Sequence, residues 1–458
     1  MALVRQSVHG GWGSQWTFVA AATSATIGLG NLWKFAYLAG VNGGAGFVLV
    51  YLACVLLVAA PVLVAEVVLG SRGRSDPIHA LEAAARESAV SRKWCWVGWL
   101  SCATALIILS YFSVVGGWLI AYLRWLYQGE LVVVSARQVG ELFGQLLGDA
   151  GRQMAMHGVF MGVAWLVVAL GVSRGLGLVL RLSLPLLIVL LLVMVLCAIR
   201  MGDVAAALDF MFALRPDELR ADAMLTALGQ AFFSLSVGMA AMTAYGAYTP
   251  DRSSISRMVG MVVLLDVVVA LLAGLAIFPM VFAQRVQPNF GPGLMFITLP
   301  YIFGNVPYGS MIGTAFFGLV LLAALGSAIA LLEPATAWLV QRLRWRRPWA
   351  ALALAVGVWL LGLLSIFSFS LWPHWRPGGR SLFAWIDWLS ADVMLPLGCL
   401  GMAVFVGWRM RKEAIRDELF AEHLRFFYLW RWLLRYIAPP AITLILVAGL
   451  YRMWVQLH

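Results

Sequence analysis

A short polar, glycine-rich stretch, Thr23 to Asn31, interrupts a long apolar segment near the N-terminus. Apart from this stretch, the segment 14–39 is long and apolar enough to form a helix that crosses a membrane. In lipid, backbone amides and carbonyls must be bonded within the protein or face a protected, hydrated cavity. Two glycines, three hydroxyl side chains and an asparagine at this depth therefore predict a break whose freed backbone groups bind an ion and a small solute.

A second interruption of the same kind occurs at Phe232 to Met239, where serines and a glycine lie inside another apolar segment. The two interrupted segments are the first and the sixth along the chain, so each begins a set of five. Because five is an odd number of crossings, the second set runs in the opposite orientation. Interrupted segments at matching positions of two halves indicate a transporter with an inverted repeat. The alternative is that both stretches are small-residue surfaces that let helices pack closely.

The composition predicts a protein that crosses the bilayer many times. Of its 458 residues, 62% are hydrophobic and 12% are charged, which is about half the charged share of a soluble domain. Eleven apolar segments are long enough to span, at 14–39, 47–70, 94–127, 157–173, 176–199, 222–248, 258–284, 309–341, 348–369, 383–410 and 432–454. We predict one all-α polytopic transporter domain, 1–458, with a five-plus-five inverted-repeat fold: a first repeat at 14–199, a second at 222–410 and an additional helix at 432–454.

The distribution of basic residues predicts the orientation in the membrane. The net charge is +11, and arginines cluster in alternate connections, for example in 72–93 and 342–347. The positive-inside rule places these connections in the cytoplasm. We therefore expect a multi-pass protein of the cell inner membrane with a cytoplasmic N-terminus and, after eleven spans, an external C-terminus. On this interpretation the positive charge reflects topology, and we expect the lipid bilayer rather than nucleic acid as its partner.

The sequence contains no pattern that is typical of an enzyme. No nucleophile–base pair, metal cluster or phosphate loop stands out, and the five cysteines have no metal-site spacing. Gly28-Leu-Gly30 lacks the strand–turn–helix setting of a dinucleotide site. We expect a protein that is not an enzyme and has no organic cofactor.

Several motifs resemble the neurotransmitter:sodium symporter family. They occur in the order found in that family and cover essentially all eleven predicted spans; they are Ile27 to Phe35, Asn42 to Phe47, Pro61 to Gly70, Ser110 to Trp118, Gly229 to Gly238, Tyr245 to Tyr248 and Ala324 to Pro334. Eleven spans are similar to some bacterial members. The resemblance implies sodium-driven import of a small amino acid or amine by alternating access, and it leaves the oligomeric state open.

The resemblance also implies where sodium and substrate bind. Hard cations prefer oxygen ligands, and the first sodium site would draw on Thr26, Asn31, Ser234 and Asp266. The second would use the carbonyls of Ser24, Ile27 and Ala323 together with Ser327. The substrate pocket would be lined by Ala25, Thr26, Leu29, Gly30, Ile108, Phe112, Phe233, Ser234, Ser236, Met239, Ser327 and Leu331.

The predicted pocket favours a neutral, hydrophobic amino acid. Its carboxylate would face the amides of the broken first helix, where a half-helix N-terminus is partly positive. Monoamine carriers of the family have an aspartate where this chain has Gly28, so the substrate is expected to bring its own carboxylate. The other lining side chains are mostly apolar.

Three positions depart from the family pattern. Phe112 replaces a tyrosine whose hydroxyl reaches the substrate carboxylate, and Gly326 replaces a hydroxyl residue of the second sodium site. Asp266 replaces a sodium-binding asparagine, while Ala270, one turn on, stands where other members have a carboxylate or a chloride-binding serine. We hypothesise that Asp266 supplies the charge that chloride supplies elsewhere, so that chloride is not required, and that it takes up a proton on the return step. The alternative is a structural aspartate paired with a buried hydroxyl or amide.

The resemblance also implies two gates. Lys34 and Asp387 match the external basic–acidic pair, and Trp12 and Tyr248 match groups of the inner gate. His9 and Gln341 stand where the family has a charged inner pair, which predicts easier inward opening. Two further acids within predicted spans, Glu66 and Glu333, are expected to make structural hydrogen bonds, with proton coupling as the alternative.

Two other functions remain open at this stage. One is a proton-coupled or ion-independent carrier of another small solute. The other is a non-transporting sensor that keeps the fold and binds a ligand.

Overall fold

The computed structural model describes residues 10–214, 220–251, 253–284, 293–419 and 424–457, and in these ranges the regular structure is helical. The first half contains nine α-helices: α1 (Gln15–Thr26), α2 (Phe35–Val41), α3 (Ala45–Cys54), α4 (Ala60–Gly73), α5 (Pro77–Glu87), α6 (Cys95–Gln128), α7 (Ala136–Gly148), α8 (Ala150–Ala169) and α9 (Gly177–Met201).

The second half continues in the same way. Its α-helices are α10 (Val204–Phe212), α11 (Ala221–Ser234), α12 (Ala241–Ala247), α13 (Ile255–Ala283), α14 (Leu299–Gly304), α15 (Gly309–Leu343), α16 (Arg347–Phe369), α17 (Leu382–Asp387), α18 (Leu395–Val404), α19 (Lys412–Glu418), α20 (Leu424–Trp432) and α21 (Ala438–Leu457). Short π-helical segments join several of them, so that α3 runs into α4, α17 into α18 and α20 into α21; they include Val55–Ala59, Trp388–Met394 and Leu433–Ile437.

Nine uninterrupted helices in the described ranges are long and apolar enough to cross a membrane. They correspond in order to the second to fifth and seventh to eleventh predicted spans. The first and sixth predicted spans are missing from the nine because each is divided, into α1 with α2 and into α11 with α12. The predicted fold class is thus confirmed, while the limits of the two repeats and the orientation of the termini stay predictions.

The first break is shorter than the sequence predicts. Helix α1 begins after Ser14, whose hydroxyl accepts a hydrogen bond from the Thr17 amide, and it continues to Thr26. Ile27 has an extended ψ of 100°, although its amide still donates to the Thr23 carbonyl. A π-helical segment, Gly30–Lys34, then leads into α2. The polar residues 23–26 therefore belong to the last turn of α1, and the break itself lies at Ile27 and Gly28.

The second break, between α11 and α12, requires unusual backbone conformations. Three residues in it have positive φ: Ser236 at 52°, Gly238 at 80° and Ala240 at 59°. Serine and alanine adopt this region rarely, and such strain persists where the surroundings hold it. The buried carboxylate of Glu66 does so here, since its Oε1 accepts a 2.6 Å hydrogen bond from the Gly238 amide.

The two broken helices lie among the longest helices. Helix α1 packs against α9, α13 and α15, and α12 packs against α4 and α15. The long helices α6 and α15 pack along each other and against α8 and α16. Both breaks are consequently enclosed by protein, which is the condition under which irregular backbone is tolerated at membrane depth.

Candidate functional site

A buried cluster of oxygen-bearing side chains surrounds Asp266 on α13. The Ser234 hydroxyl donates to Asp266 Oδ2 at 2.5 Å, and the Asn31 amide donates to Oδ1 at 2.8 Å. The Tyr51 hydroxyl lies 3.0 Å from Ser234 Oγ and 3.4 Å from Asp266 Oδ2. Each of these four residues is at most 1% exposed, so their hydrogen bonds form away from bulk solvent.

This cluster offers several oxygen atoms of the kind that bind a hard cation. Thr26 also interacts with Asp266, so the structure brings together all four residues predicted for the first sodium site. They offer carboxylate, amide and hydroxyl oxygens, which are suitable ligands for a hard cation. The buried negative charge favours a cation here, because an isolated carboxylate is costly to keep in a low-dielectric interior.

Tyr51 is the member of this cluster that the sequence analysis missed. It lies on α3, between apolar residues, and it is fully buried. A buried tyrosine hydroxyl usually finds a polar partner. A tyrosine within an apolar span therefore indicates that some polar group lies nearby. The partner itself, 215 residues away along the chain, could not be read from local sequence.

The residues predicted for the second sodium site lie where α1 and α15 touch. The Ser327 hydroxyl donates to the Ala25 carbonyl at 3.0 Å, and the Ser24 hydroxyl donates to the Leu180 carbonyl at 3.1 Å. The two helices approach each other closely at Gly326, where a Cβ atom would lie 2.4 Å from the Ser24 carbonyl oxygen. The Ser24 carbonyl thus occupies space that a side chain at position 326 would need.

The predicted substrate-binding residues come together around the two breaks. The Ser236 hydroxyl donates to the Ala25 carbonyl at 3.3 Å, which ties the second break to the first. A Cβ atom on Gly30 would lie 3.0 Å from the Phe233 ring, and one on Gly28 would lie 4.0 Å from Phe112 Cζ. The other predicted lining residues are also buried: Thr26, Leu29, Ile108, Ser234, Met239, Ser327 and Leu331.

A cavity of about 440 Å³ reaches these residues from one side. Leu29, Phe112 and Phe233 are the members of the predicted lining that border it. The remainder of its wall is largely aromatic, and the sequence analysis did not predict it; it includes Trp33, Tyr37, Tyr111, Trp118, Phe143, Phe296 and Phe383. A wall of this composition suits an apolar or aromatic solute.

The predicted outer-gate residues, Lys34 and Asp387, both border this cavity. In the described ranges no ion pair within 4.0 Å joins them. Lys34 Nζ instead lies 4.3 Å from the centroid of the Phe233 ring, a distance at which a cation is attracted to an aromatic face. The two charged side chains thus lie at the same side of the cavity, but they do not pair across it.

The opposite end of the site is tightly packed. Trp12 donates from its backbone amide to the Tyr248 carbonyl at 2.7 Å and from its indole to the Tyr245 carbonyl at 3.0 Å. The Tyr248 hydroxyl donates to the buried Glu333 carboxylate at 2.7 Å, and Arg347 forms an ion pair with the same carboxylate. The site is therefore closed at the Trp12 end. It is reached from the other end, through the cavity that Lys34 borders.

The expectation for the two buried acids agrees with these contacts, since Glu66 and Glu333 both accept hydrogen bonds. Sequence reasoning missed Arg347 at this end, because a basic cluster such as 342–347 is also what a cytoplasmic connection contains. Gln341 accepts a hydrogen bond from the Asp76 amide at 3.2 Å. His9, the other residue named for the inner gate, lies outside the described residues.

We predict that Glu333→Gln destabilises the protein strongly. The substitution leaves the Arg347 charge, whose side chain is 15% exposed, without a counter-charge, and breaking a buried pair costs about 3–5 kcal/mol. The midpoint of thermal unfolding in detergent should fall by several degrees. Glu141→Gln is the matched control, since Glu141 pairs with Arg137 at an exposed site, where such pairs contribute roughly 0–1 kcal/mol. Equal midpoints for the two variants would contradict the prediction.

A helical membrane bundle in which two broken helices meet a buried carboxylate is the architecture of an ion-coupled transporter. The sequence matches the model of the sodium:neurotransmitter symporter family over residues 9–138 and 136–457. The chain belongs to this family of transporters, as the resemblance predicted.

Individual relatives agree with this membership. The chain is 34% identical over 441 residues to the uncharacterised sodium-dependent transporter YhdH of Bacillus subtilis (strain 168), covering 95% of this chain and 96% of the relative. It is 28% identical to an uncharacterised sodium-dependent transporter of Haemophilus influenzae, covering 96% and 98% of the two chains. The crystal structure of MhsT in complex with L-phenylalanine superposes with a TM-score of 0.88 at 34% identity, covering 96% of this chain and 99% of that one.

Proposed function

We propose that this protein is a sodium-coupled symporter that imports a small neutral, hydrophobic amino acid by alternating access. The observation that carries the proposal is the buried oxygen cluster around Asp266, which directly adjoins the two breaks. The phenylalanine complex of the similar protein MhsT supports the substrate class. The sodium-dependent relatives support the coupling ion.

The cluster offers a physical route for coupling. Asn31 and Ser234, which hold Asp266, lie at the ends of the two breaks. A sodium ion bound there would offset the carboxylate charge and fix both broken helices in one arrangement. The backbone groups beside them would then be oriented for the substrate before it arrives, so sodium would raise substrate affinity.

The apolar part of the substrate would lie against aromatic rings. Phe112 and Phe233 are separated by the first break and both border the cavity. Lys34 lies over the Phe233 ring, so a movement of that ring toward a bound solute would release the lysine toward Asp387. Closure of this end would then accompany substrate binding, and the Trp12 end would open afterwards.

Ligand-dependent thermal stability is the direct test. Purified full-length protein is screened against the neutral amino acids in sodium and in potassium buffers, and the hits are followed by uptake into proteoliposomes. A ligand at one hundred times its Kd stabilises the native state by about 2.7 kcal/mol. We expect a hydrophobic amino acid to raise the unfolding midpoint in sodium far more than in potassium, and to accumulate only with an inward sodium gradient.

The same measurements separate the other functions. Binding that sodium leaves unchanged rules out sodium symport, and uptake driven by a proton gradient would then identify a proton-coupled carrier. Binding without counterflow of labelled ligand would identify a sensor. Stabilisation by amines but not by amino acids would overturn the proposed substrate class.

We predict that Phe112→Tyr tightens amino acid binding. Phe112 Cζ points at the first break, about 4 Å from the site of a Cβ on Gly28, so a tyrosine hydroxyl would reach the freed amides and the substrate carboxylate. A hydrogen bond to a charged group contributes about 1.5–3 kcal/mol, or roughly ten- to a hundredfold in affinity. Isothermal titration in sodium buffer measures this. Phe383→Tyr, at the cavity wall, is the control, and weaker binding by Phe112→Tyr would place the carboxylate elsewhere.

A further inference from the structure

A charged pair lies at the closed, Trp12 end of the site, although the sequence lacks the pair that the family has there. His9 and Gln341 stand at those two positions, which predicts easier inward opening. In the structure, Arg347 at the start of α16 forms an ion pair with Glu333 in α15. The Glu333 side chain is fully buried and that of Arg347 is 15% exposed. Charges that could secure this end are thus supplied by other helices.

Arg347 joins three long helices, α8, α15 and α16, which we call the framework helices. These helices all pack against one another. The Arg347 Nε donates to the Val168 carbonyl in α8 at 2.8 Å, and its Nη2 donates to Glu333 Oε2. Two donors of one planar guanidinium therefore fix the Glu333 carboxylate to the framework helices, an arrangement that the single ammonium of a lysine would not reproduce.

The other oxygen of this carboxylate faces the broken helices. Tyr248, the residue at which α12 ends, donates from its hydroxyl to Glu333 Oε1 at 2.7 Å. The Tyr248 carbonyl accepts a hydrogen bond from the amide of Trp12, just before α1, and the two rings meet edge to face with their centroids 5.7 Å apart. One carboxylate therefore connects the framework helices to both broken helices.

We propose that Arg347 is a positioning residue of the inner gate, which holds the Glu333 carboxylate in place as the acceptor for Tyr248. The guanidinium offsets the cost of burying the carboxylate charge. A hydrogen bond to an ionised acceptor is roughly twice as strong as a neutral one, so the pair strengthens the bond that closes this end. The inference rests on the alternating access proposed above and names the residue that secures its inner end.

The bond between Tyr248 and Glu333 is the one that breaks when the inner end opens. Arg347 and Glu333 both belong to the framework helices, whereas Tyr248 follows the second break and moves with α12. Arg347 therefore stays with Glu333 in both states. A change that weakens Glu333 as an acceptor should open this end without altering the Asp266 cluster.

The test measures the accessibility of reporter cysteines in purified full-length protein. Ala337 is buried one turn beyond Glu333 on α15, so Ala337→Cys should react with a methanethiosulfonate reagent when the inner end opens. Val115 borders the cavity at the other end, and Val115→Cys reports on that end. The same proteins without a reporter give the background from the native cysteines. Because labelling needs neither substrate nor uptake, its outcome is separate from that of the transport assays.

We expect Tyr248→Phe to raise the labelling rate of Ala337→Cys roughly tenfold or more, because a hydrogen bond to a charged group is lost. Arg347→Gln should raise it several-fold, since the acceptor is weakened and displaced. Val115→Cys should react no faster in either variant, because alternating access does not open both ends together. Arg346→Gln, at an exposed arginine next to Arg347, is the matched control and should leave both rates within about twofold, since exposed charges contribute little.

An unchanged Ala337→Cys rate in Arg347→Gln would overturn the proposal. A parallel rise at both reporters would also overturn it, because that result describes a general loosening of the protein. If Arg347→Gln does not fold, the double variant Glu333→Gln with Arg347→Gln decides, since removing both charges leaves neither one unpaired. A raised Ala337→Cys rate in this double variant supports the role of the pair, and a wild-type rate overturns it.

Discussion

Asp266→Asn is expected to lower sodium-driven uptake at least a hundredfold in chloride-free vesicles. The Asp266 carboxylate is fully buried and accepts hydrogen bonds from Asn31 and Ser234. An asparagine keeps the size of the side chain and one oxygen but removes the charge that would face sodium. Losing one member of a buried charge pair costs about 3–5 kcal/mol, which is more than a hundredfold in sodium affinity. Labelled substrate uptake against sodium concentration measures it.

Relocating the charge is the sharpest control for this prediction. Ala270 is buried one turn after Asp266 on α13, and positions i and i+4 share a helix face. The double variant Asp266→Asn with Ala270→Glu should recover a substantial part of the uptake. Added chloride should partly rescue the single variant and leave the wild type unchanged. Asp222→Asn, at an exposed acid on α11, should behave as wild type.

Two results would contradict the role given to Asp266. One is full sodium-driven uptake by Asp266→Asn without chloride, which would leave the aspartate a structural hydrogen-bond acceptor. The other is chloride stimulation of the wild-type protein, because a carboxylate that replaces chloride leaves no need for the anion.

Gly326→Ser is expected to reduce uptake at least tenfold, although it restores a hydroxyl found in the family at this position. A Cβ here would lie 2.4 Å from the Ser24 carbonyl oxygen, and that oxygen belongs to the backbone of α1 and cannot move alone. Helices α1 and α15 would have to separate, and overpacking of this kind typically costs about 1–3 kcal/mol. Because Ser24 and Ala25 lead directly into the first break, the displacement would reach the site itself.

The control for this prediction lies on the same helix. A Cβ on Gly318 would meet its nearest neighbour, Leu123 Cδ1, at 3.9 Å, an ordinary contact distance, so Gly318→Ser should keep uptake near the wild-type level. Uptake and the thermal unfolding midpoint are measured for both variants. A Gly326→Ser protein with unchanged stability and tighter sodium binding would show that the second sodium site has the spacing of other family members.

The breaks were predictable from sequence because they violate a local rule. Polar and glycine-rich residues stand out within apolar segments, and this contrast needs no knowledge of neighbouring helices. Their limits were less predictable. Residues 23–26 continue α1 because backbone bonds such as Ile27 to Thr23 persist, and those bonds depend on the helices that enclose them.

Long-range partners could not be inferred in the same way. Tyr51 joins Asp266 across 215 positions of the chain, and Arg347 at the start of α16 meets Glu333 within α15. Each of these residues, taken alone, has an ordinary interpretation as an interfacial or packing side chain. Family resemblance led to Asp266 and Ser234 but carried no information about Arg347.

The sequence by itself predicted a protein with about eleven membrane spans, indicated that the first and sixth of these segments are broken, and pointed to the family. These properties depend on local hydrophobicity and on motifs, which are contained in contiguous residues. Only the tertiary structure decided that Lys34 lies over Phe233 rather than against Asp387, and that the Ser24 carbonyl fills the space beside Gly326. The physical reason is that the packing of the whole bundle sets the distances between helices that are remote in sequence. A short segment of sequence carries no information about that packing.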